Sequence, residues 1–160
     1  MDAWQELAAV RQVARMITSY ARWTGSDFGA DLGLGRLAGA PAAVAELVYR
    51  LPWVVVAHAP GPDPLFVYAN RCAQMLWELE WAAFTQLPSR RSAAAGHVEE
   101  RSRWLATAAA QGYVTGCYGE RVSASGRRFL IEEVTIWNVL DEDGAAAGQA
   151  AAYRSWRYLG

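Results

Sequence analysis

FVYANRCAQMLW, residues 66–77, begins as a strand and ends as a helix. Phe66, Val67 and Tyr68 are aromatic or β-branched, the residue types that suit a pleated, half-buried surface. Cys72, Met75 and Leu76 then recur at three- and four-residue steps, the period of a helix. Asn70 stands at the switch. Its side-chain oxygen is placed to accept a bond from an unpaired N–H of the helix's first turn, which predicts a helix N-cap.

Working outward, WVVVAH (53–58) reads as a strand and APGPDP (59–64) as a loop, so the two strands around that loop form a hairpin. Downstream, the helix opened by Asn70 runs to about Leu79, a short helix reaches about Gln86, and LPSRRS (87–92) is the exit. Ser92 is read as the cap of a longer helix over 93–111, ended by Gly112. Strands over 113–122 and 127–140 flank the turn SASG, and a last strand covers 149–159 after the loop DEDGAAAG. The order is two strands, several helices, then three strands.

Upstream, Trp4, Leu7, Val10, Ala14, Ile17 and Ala21 form one apolar stripe, and Val13, Met16, Tyr20 and Trp23 a second. The spacing predicts one helix over 3–23, with Trp4, Leu7, Ile17 and Tyr20 covered. A face that wide wants a partner, either the main domain or another chain, and we expect a homodimer through this helix. Residues 25–39 read as a flexible Gly-rich connector. Its Gly-Leu-Gly is no nucleotide fingerprint, because a helix and not a strand precedes it. Pro41 then opens a short helix through Arg50.

The hydrophobic fraction of 53% and aromatic fraction of 12% describe a packed globule and exclude disorder. A net charge of -1 gives no basic face for nucleic acid. Cys72 and Cys117 form no CxxC and suit a reducing cytoplasm. The charged N-terminus is not a signal peptide, and no run is long enough to span a membrane.

The strings VVVAHAPGPDPLFVYAN (54–70), Trp81, LPSR (87–90), Glu100-Arg101, YGERVSASGRRF (118–129) and WNVLDEDGAAAGQAA (137–151) carry a resemblance. In this order, over residues 41–160, the chain resembles the MEKHLA-domain family, a PAS-like family with stand-alone bacterial members and a branch in plant homeodomain–zipper regulators. The hexapeptide that names the family is absent. No homeodomain or zipper precedes the domain, so the DNA-binding role of the plant branch is not expected. The resemblance implies an α+β, PAS-like fold: a five-stranded antiparallel sheet with helices on one face, plus the N-terminal helices of residues 1–40. It also implies a space between sheet and helices that holds a small ligand or cofactor, and an outer face or N-terminal helix that engages a protein partner.

Within that frame the candidate cavity residues are Asn70, Ser89, Arg90, Arg101, Tyr118, Arg121, Phe129, Glu133 and Trp137. Arg101 shares a helical stripe with Val98, Leu105 and Ala108, which turns a guanidinium toward the apolar side. A buried charge needs a partner. Glu132 or Glu133, Glu78 or Glu80, or an anionic ligand would each supply one. Adjacent strand residues point to opposite faces, so one of Glu132 and Glu133 faces the helices unless a bulge intervenes. Asn70 reads first as a cap, Ser89-Arg90 as a turn, and Tyr118, Arg121, Phe129 and Trp137 as core or as a platform for a planar ligand. His97 and His58 are lone histidines, Cys72 is not in the string of the flavin photoreceptors, and no spacing suggests a metal site. Neither haem nor covalent flavin is expected, and no cofactor is named. The functional expectation is a cytoplasmic sensory or binding module that takes a small molecule or a protein partner. The rivals are a small α+β enzyme using Arg101, Glu132 or Glu133 and Tyr118, and an interaction module with a closed core.

Overall fold

The computed structural model describes all 160 residues. A 3-10 turn at Ala3–Gln5 leads into α1 (Leu7–Thr24), α2 (Phe28–Asp31) and α3 (Pro41–Arg50). The hairpin of β1 (Val54–His58) and β2 (Phe66–Ala69) precedes α4 (Arg71–Trp77), α5 (Trp81–Phe84), a 3-10 turn at Ser89–Ser92 and α6 (Val98–Gln111). β3 (Tyr113–Val122), β4 (Arg128–Leu140), β5 (Ala146–Tyr153) and β6 (Ser155–Tyr158) follow. The class is α+β. All strands join one antiparallel sheet in the order β2-β1-β5-β4-β3, with β6 also on β4.

β6 continues β5. Ala152 lies opposite Thr135 and Ser155 opposite Glu132, so both strands keep one register along β4. The last strand is therefore a single strand interrupted at Arg154. The interruption sits beside a bulge. β3 takes one extra residue between Val114 and Cys117, and β4 takes one between Val134 and Ile131. The extra residues coincide with Gly116 at φ 71° and Glu133 at φ 54°. Glycine adopts that conformation freely, whereas for glutamate it is strained.

The Glu133 bulge reverses the alternation of β4. Phe129 and Ile131 before it and Val134 and Ile136 after it enter one core, while Trp137 and Val139 enter another. With an unbroken period of two, Phe129, Glu133 and Trp137 would share a face. That is why the expectation of these three around one cavity does not hold.

The two cores lie on opposite faces of the sheet. Along β1, Val54 and Val56 join Ala73, Trp77, Phe84 and Ala108 of α4 to α6. Val55 and Ala57 join Val13, Met16 and Tyr20 of α1 and Val48 of α3. The continuous apolar run of β1 follows from burial on both faces. Helices thus cover the second face as well, and the N-terminal helix supplies that cover. Trp137 Nε1 donates to Met16 O at 3.0 Å, and Leu140 N donates to Ser19 Oγ at 2.8 Å. Each fully buried side chain such as Met16 stabilises this docking by about 1.5–3 kcal/mol.

Three local expectations change. The N-terminal helix is not continuous from residue 3, because Glu6 is extended with ψ 150°. Trp4 and Tyr20 are covered, Ile17 is half-buried, and Leu7 is 72% exposed. The connector is anchored at its start, where α2 forms and Phe28 is buried against Tyr20 and Trp137. The helix expected from residue 93 starts at Val98. Ala94 N donates to Glu120 O and Ala93 bridges to Arg121, which hold that segment along β3 as extended chain.

Candidate functional site

Asn70 answers the turn in the opening stretch. Its Oδ1 accepts from Ala73 N at 3.1 Å, the expected cap, and also from Val55 N at 3.1 Å. Its Nδ2 donates to Val48 O at 3.1 Å and Trp53 O at 2.8 Å. One buried amide thus ties the end of α3, the start of β1 and the first turn of α4. Both donors and both acceptor sites are used. Nothing remains for a ligand, so Asn70 is a structural anchor and not a cavity group.

Arg101 and Ala108 form the buried face of α6, turned to the sheet. Arg101 is 9% exposed and sits in no ion pair, and its side chain makes no hydrogen bond within the protein. The carboxylates expected to pair with it are engaged or remote. Glu132 pairs with Arg157 at 3.1 Å on the surface. Glu133 is exposed at the bulge. Glu78 accepts from Ser123 Oγ and Ser125 N, and Glu80 is exposed ahead of α5. The bulge is the reason neither Glu132 nor Glu133 points inward.

Two small cavities, of about 40 and about 30 Å³, adjoin at Arg101 and share Val56, Phe66, Leu105 and Ile136 as walls. The larger lobe adds Arg121, Ser92, Trp77 and Tyr153. The smaller adds His58 and Gln149. Arg121 is buried, and its Nη1 donates to Glu120 O at 2.9 Å. The Tyr153 hydroxyl, Trp77 Nε1 and His58 Nε2 are buried without a partner. His58 Nδ1 lies 2.8 Å from Ala59 O, so it carries the proton and Nε2 keeps a free lone pair.

Burial pulls the Arg101 guanidinium down to about 9, with the charge of Arg121 adding to the effect, and it stays charged at neutral pH. Burial also lowers Arg121, against the opposing influence of Tyr153 and Glu100. Burial pushes the Tyr153 phenol well up, with Arg121 opposing. Burial holds His58 below the usual imidazole range. Its bond to Ala59 O works the other way, and the Arg101 charge reinforces the lowering. The cavity is therefore cationic, rich in donors and free of carboxylates.

Of the candidates named from the sequence, Arg101 and Arg121 line this cavity. Phe129 lies behind its wall, edge-on to Trp77 at 5.1 Å. Ser89 is buried in its 3-10 turn, where its N–H donates to Pro64 O and its carbonyl accepts from Ser92 Oγ. Arg90 pairs with Asp63 on the surface at 3.0 Å. Tyr118 is 52% exposed against Trp104. Trp137 lies on the other face of the sheet, under α1. Sequence reasoning missed Trp77, Tyr153, His58 and Ser92. A signal existed for Trp77, four residues after buried Ala73 on the same helix face, and for Tyr153, two residues after Ala151 on the last strand.

The family model of the MEKHLA domain matches residues 10–158. The chain belongs to the MEKHLA-domain family. The matched span takes in most of α1, the helix that covers the second face of the sheet. No curated protein matches this MEKHLA domain. Among solved structures, it is similar to the PAS domain of a protein from Colwellia psychrerythraea, with a TM-score of 0.59 at 16% identity over 72% of this chain and 92% of that one. It is also similar to a light-oxygen-voltage domain studied with a flavin analogue, with a TM-score of 0.57 at 15% identity over 74% and 85%. An RNA-binding light-oxygen-voltage receptor matches with a TM-score of 0.60 at 18% identity, over 70% of this chain but 32% of the receptor. At these identities the likeness shows the fold, which is PAS-like. No helix of the MEKHLA domain is long and apolar enough to cross a membrane.

Proposed function

We propose that this MEKHLA domain is a cytoplasmic sensory module that admits a small molecule between α6 and the sheet and reports it to a protein partner. The observation that carries the reading is the cluster around one cavity of Arg101, buried and in no ion pair, with the Tyr153 hydroxyl and Trp77 Nε1, which are buried without partners. Buried polar groups are ordinarily satisfied, and leaving one unpaired costs about 1–3 kcal/mol. A ligand that satisfies them would favour one packing of α6 on the sheet, a population shift. The route outward is short. Ile136 borders the cavity, and its neighbour Trp137 donates to Met16 of α1.

The inner stripe of α1 covers the sheet. The outer stripe of Leu7, Val10, Ala14 and Ile17 stays wholly or partly exposed. We take that stripe as the face a second copy engages. We read the ligand as smaller than a flavin, because the lobes fall well below the ~300–1,000 Å³ of drug-sized ligand pockets and Arg101 stands between them.

We read a binding module and not an enzyme. His58 is the one free base at the cavity, and no carboxylate or activated hydroxyl accompanies it. Ser92, in the other lobe, is tied to Ser89 O at 2.7 Å. An amide NMR titration with a library of small metabolites tests the reading. The expected outcome is perturbation centred on α6 and β5 by at least one compound. Binding confined to the outer surface, or no binding by any compound, would sink it.

A further inference from the structure

The cavity has an unusual balance of groups. Arg101 and Arg121 bring two positive charges and only donors. Trp77 Nε1 is a donor only. The Ser92 hydroxyl has already given its proton to Ser89 O. Tyr153 adds a hydroxyl without a partner. The nearest acid that acts on Arg121 is Glu100, which lies outside the cavity wall and forms no ion pair with it. Two buried guanidiniums that repel each other, facing only the neutral hydroxyls of Ser92 and Tyr153 and no carboxylate in their lobe, call for a guest that brings negative charge. The remaining walls, including Val56, Leu105, Ile131, Val134 and Ile136, are aliphatic.

We infer that the guest is a compact carboxylate. Its carboxyl group lies between Arg101 and Arg121, and its short apolar body lies against Leu105 and Ile136. This rests on the cavity reading above and narrows it to a ligand class. A guanidinium matches the planar carboxylate with two parallel N–H···O bonds. Phosphate is the weaker choice, because its additional charged oxygens would face aliphatic walls. The lobe of about 40 Å³ is too small for such an acid by itself, so the guest spans both lobes, which meet at Arg101, the second adding about 30 Å³.

Thermal melts with sodium propionate, sodium butyrate, butyramide and inorganic phosphate, each balanced with sodium chloride to one ionic strength, test the inference. Near a hundredfold excess over Kd, propionate or butyrate raises the melting temperature by about 5–10 °C. Butyramide, which has the same shape without the charge, leaves it unchanged. Arg101→Met folds and no longer responds to the acids, and Arg121→Gln responds less than wild type. A butyramide shift equal to that of butyrate, or a shift with phosphate alone, overturns the carboxylate assignment while leaving a ligand in the cavity. If no probe acts, the carboxylate inference falls. The cavity reading falls with it only if the metabolite library also leaves the amides of α6 and β5 unmoved.

Discussion

Arg101 and Arg121, both buried, line one cavity between α6 and the sheet, and neither is in an ion pair. A pair of like charges in that position is unfavourable for the empty fold. Had Arg101 met Glu132 or Glu133, its removal would leave a buried carboxylate and destabilise. With no such partner, Arg101→Met removes a desolvated charge and keeps the volume. We expect the empty variant to be more stable than wild type by about 1–4 kcal/mol, in line with replacements of buried charges by apolar side chains. Denaturant melts of ligand-free protein check this, and a variant less stable than wild type would mean that Arg101 has a partner after all.

Asn70→Ala has the opposite outcome. It strands the N–H groups of Val55 and Ala73 and the carbonyls of Val48 and Trp53. The expected loss is about 3–5 kcal/mol. Because Asn70 does not line the cavity, ligand affinity of the folded fraction should stay at the wild-type value. A weakened affinity with unchanged stability would assign Asn70 to the site.

The bulge at Glu133 gives a third expectation. Its side chain is exposed and its backbone is left-handed, so Glu133→Gly relieves strain and should stabilise by about 1 kcal/mol. Deleting Glu133 would restore strict alternation and turn Trp137 away from α1 or Ile131 away from α6. The deletion variant should fail to fold, as read by near-ultraviolet circular dichroism. A native-like spectrum would show that the bulge does not set the face of Trp137.

His58 predicts a pH dependence. Its folded pKa is depressed, chiefly by burial, so on acidification the unfolded chain takes up the proton first. Stability is unaffected by this group above the unfolded value of about 6.5, and is lost as pH falls from there through the folded value. His58→Asn keeps a donor for Ala59 O and removes the titration. The fall in stability on going from pH 6.5 to 5 should be smaller in the variant. Equal slopes would place the imidazole in solvent.

The outer stripe of α1 can be tested without disturbing the core. Leu7→Glu with Ala14→Glu, both at exposed positions, should leave the melting temperature of the isolated chain close to wild type and convert a dimer to a monomer by light scattering. An unchanged mass would remove the stripe from the interface.

Much of the fold was legible in the sequence. The switch at Asn70, the hairpin around 59–64 and the strand order after Gly112 depend on local signals: β-branched runs, helical steps and a capping side chain. The cavity was legible only in part. Arg101 was found because a guanidinium on an apolar helical stripe is anomalous. Phe129, Glu133 and Trp137 were placed together because a bulge leaves no mark in sequence when its residue is glutamate and not glycine. Tyr118 and Arg90 were misplaced because an aromatic ring or an arginine near a site looks the same in sequence whether it faces in or out. The second core was hidden for a related reason. The two stripes of α1 showed that it needed a partner, but not that the partner was the far side of its own sheet.

The central claim is that the space around Arg101 is a ligand site. Native mass spectrometry of freshly purified wild-type protein and Arg101→Met tests it most directly. The account predicts a non-covalent small molecule on the wild-type chain, released on denaturation and absent from Arg101→Met. A wild-type chain that carries only its own mass, both as purified and after incubation with propionate, butyrate and the metabolite library, would contradict it.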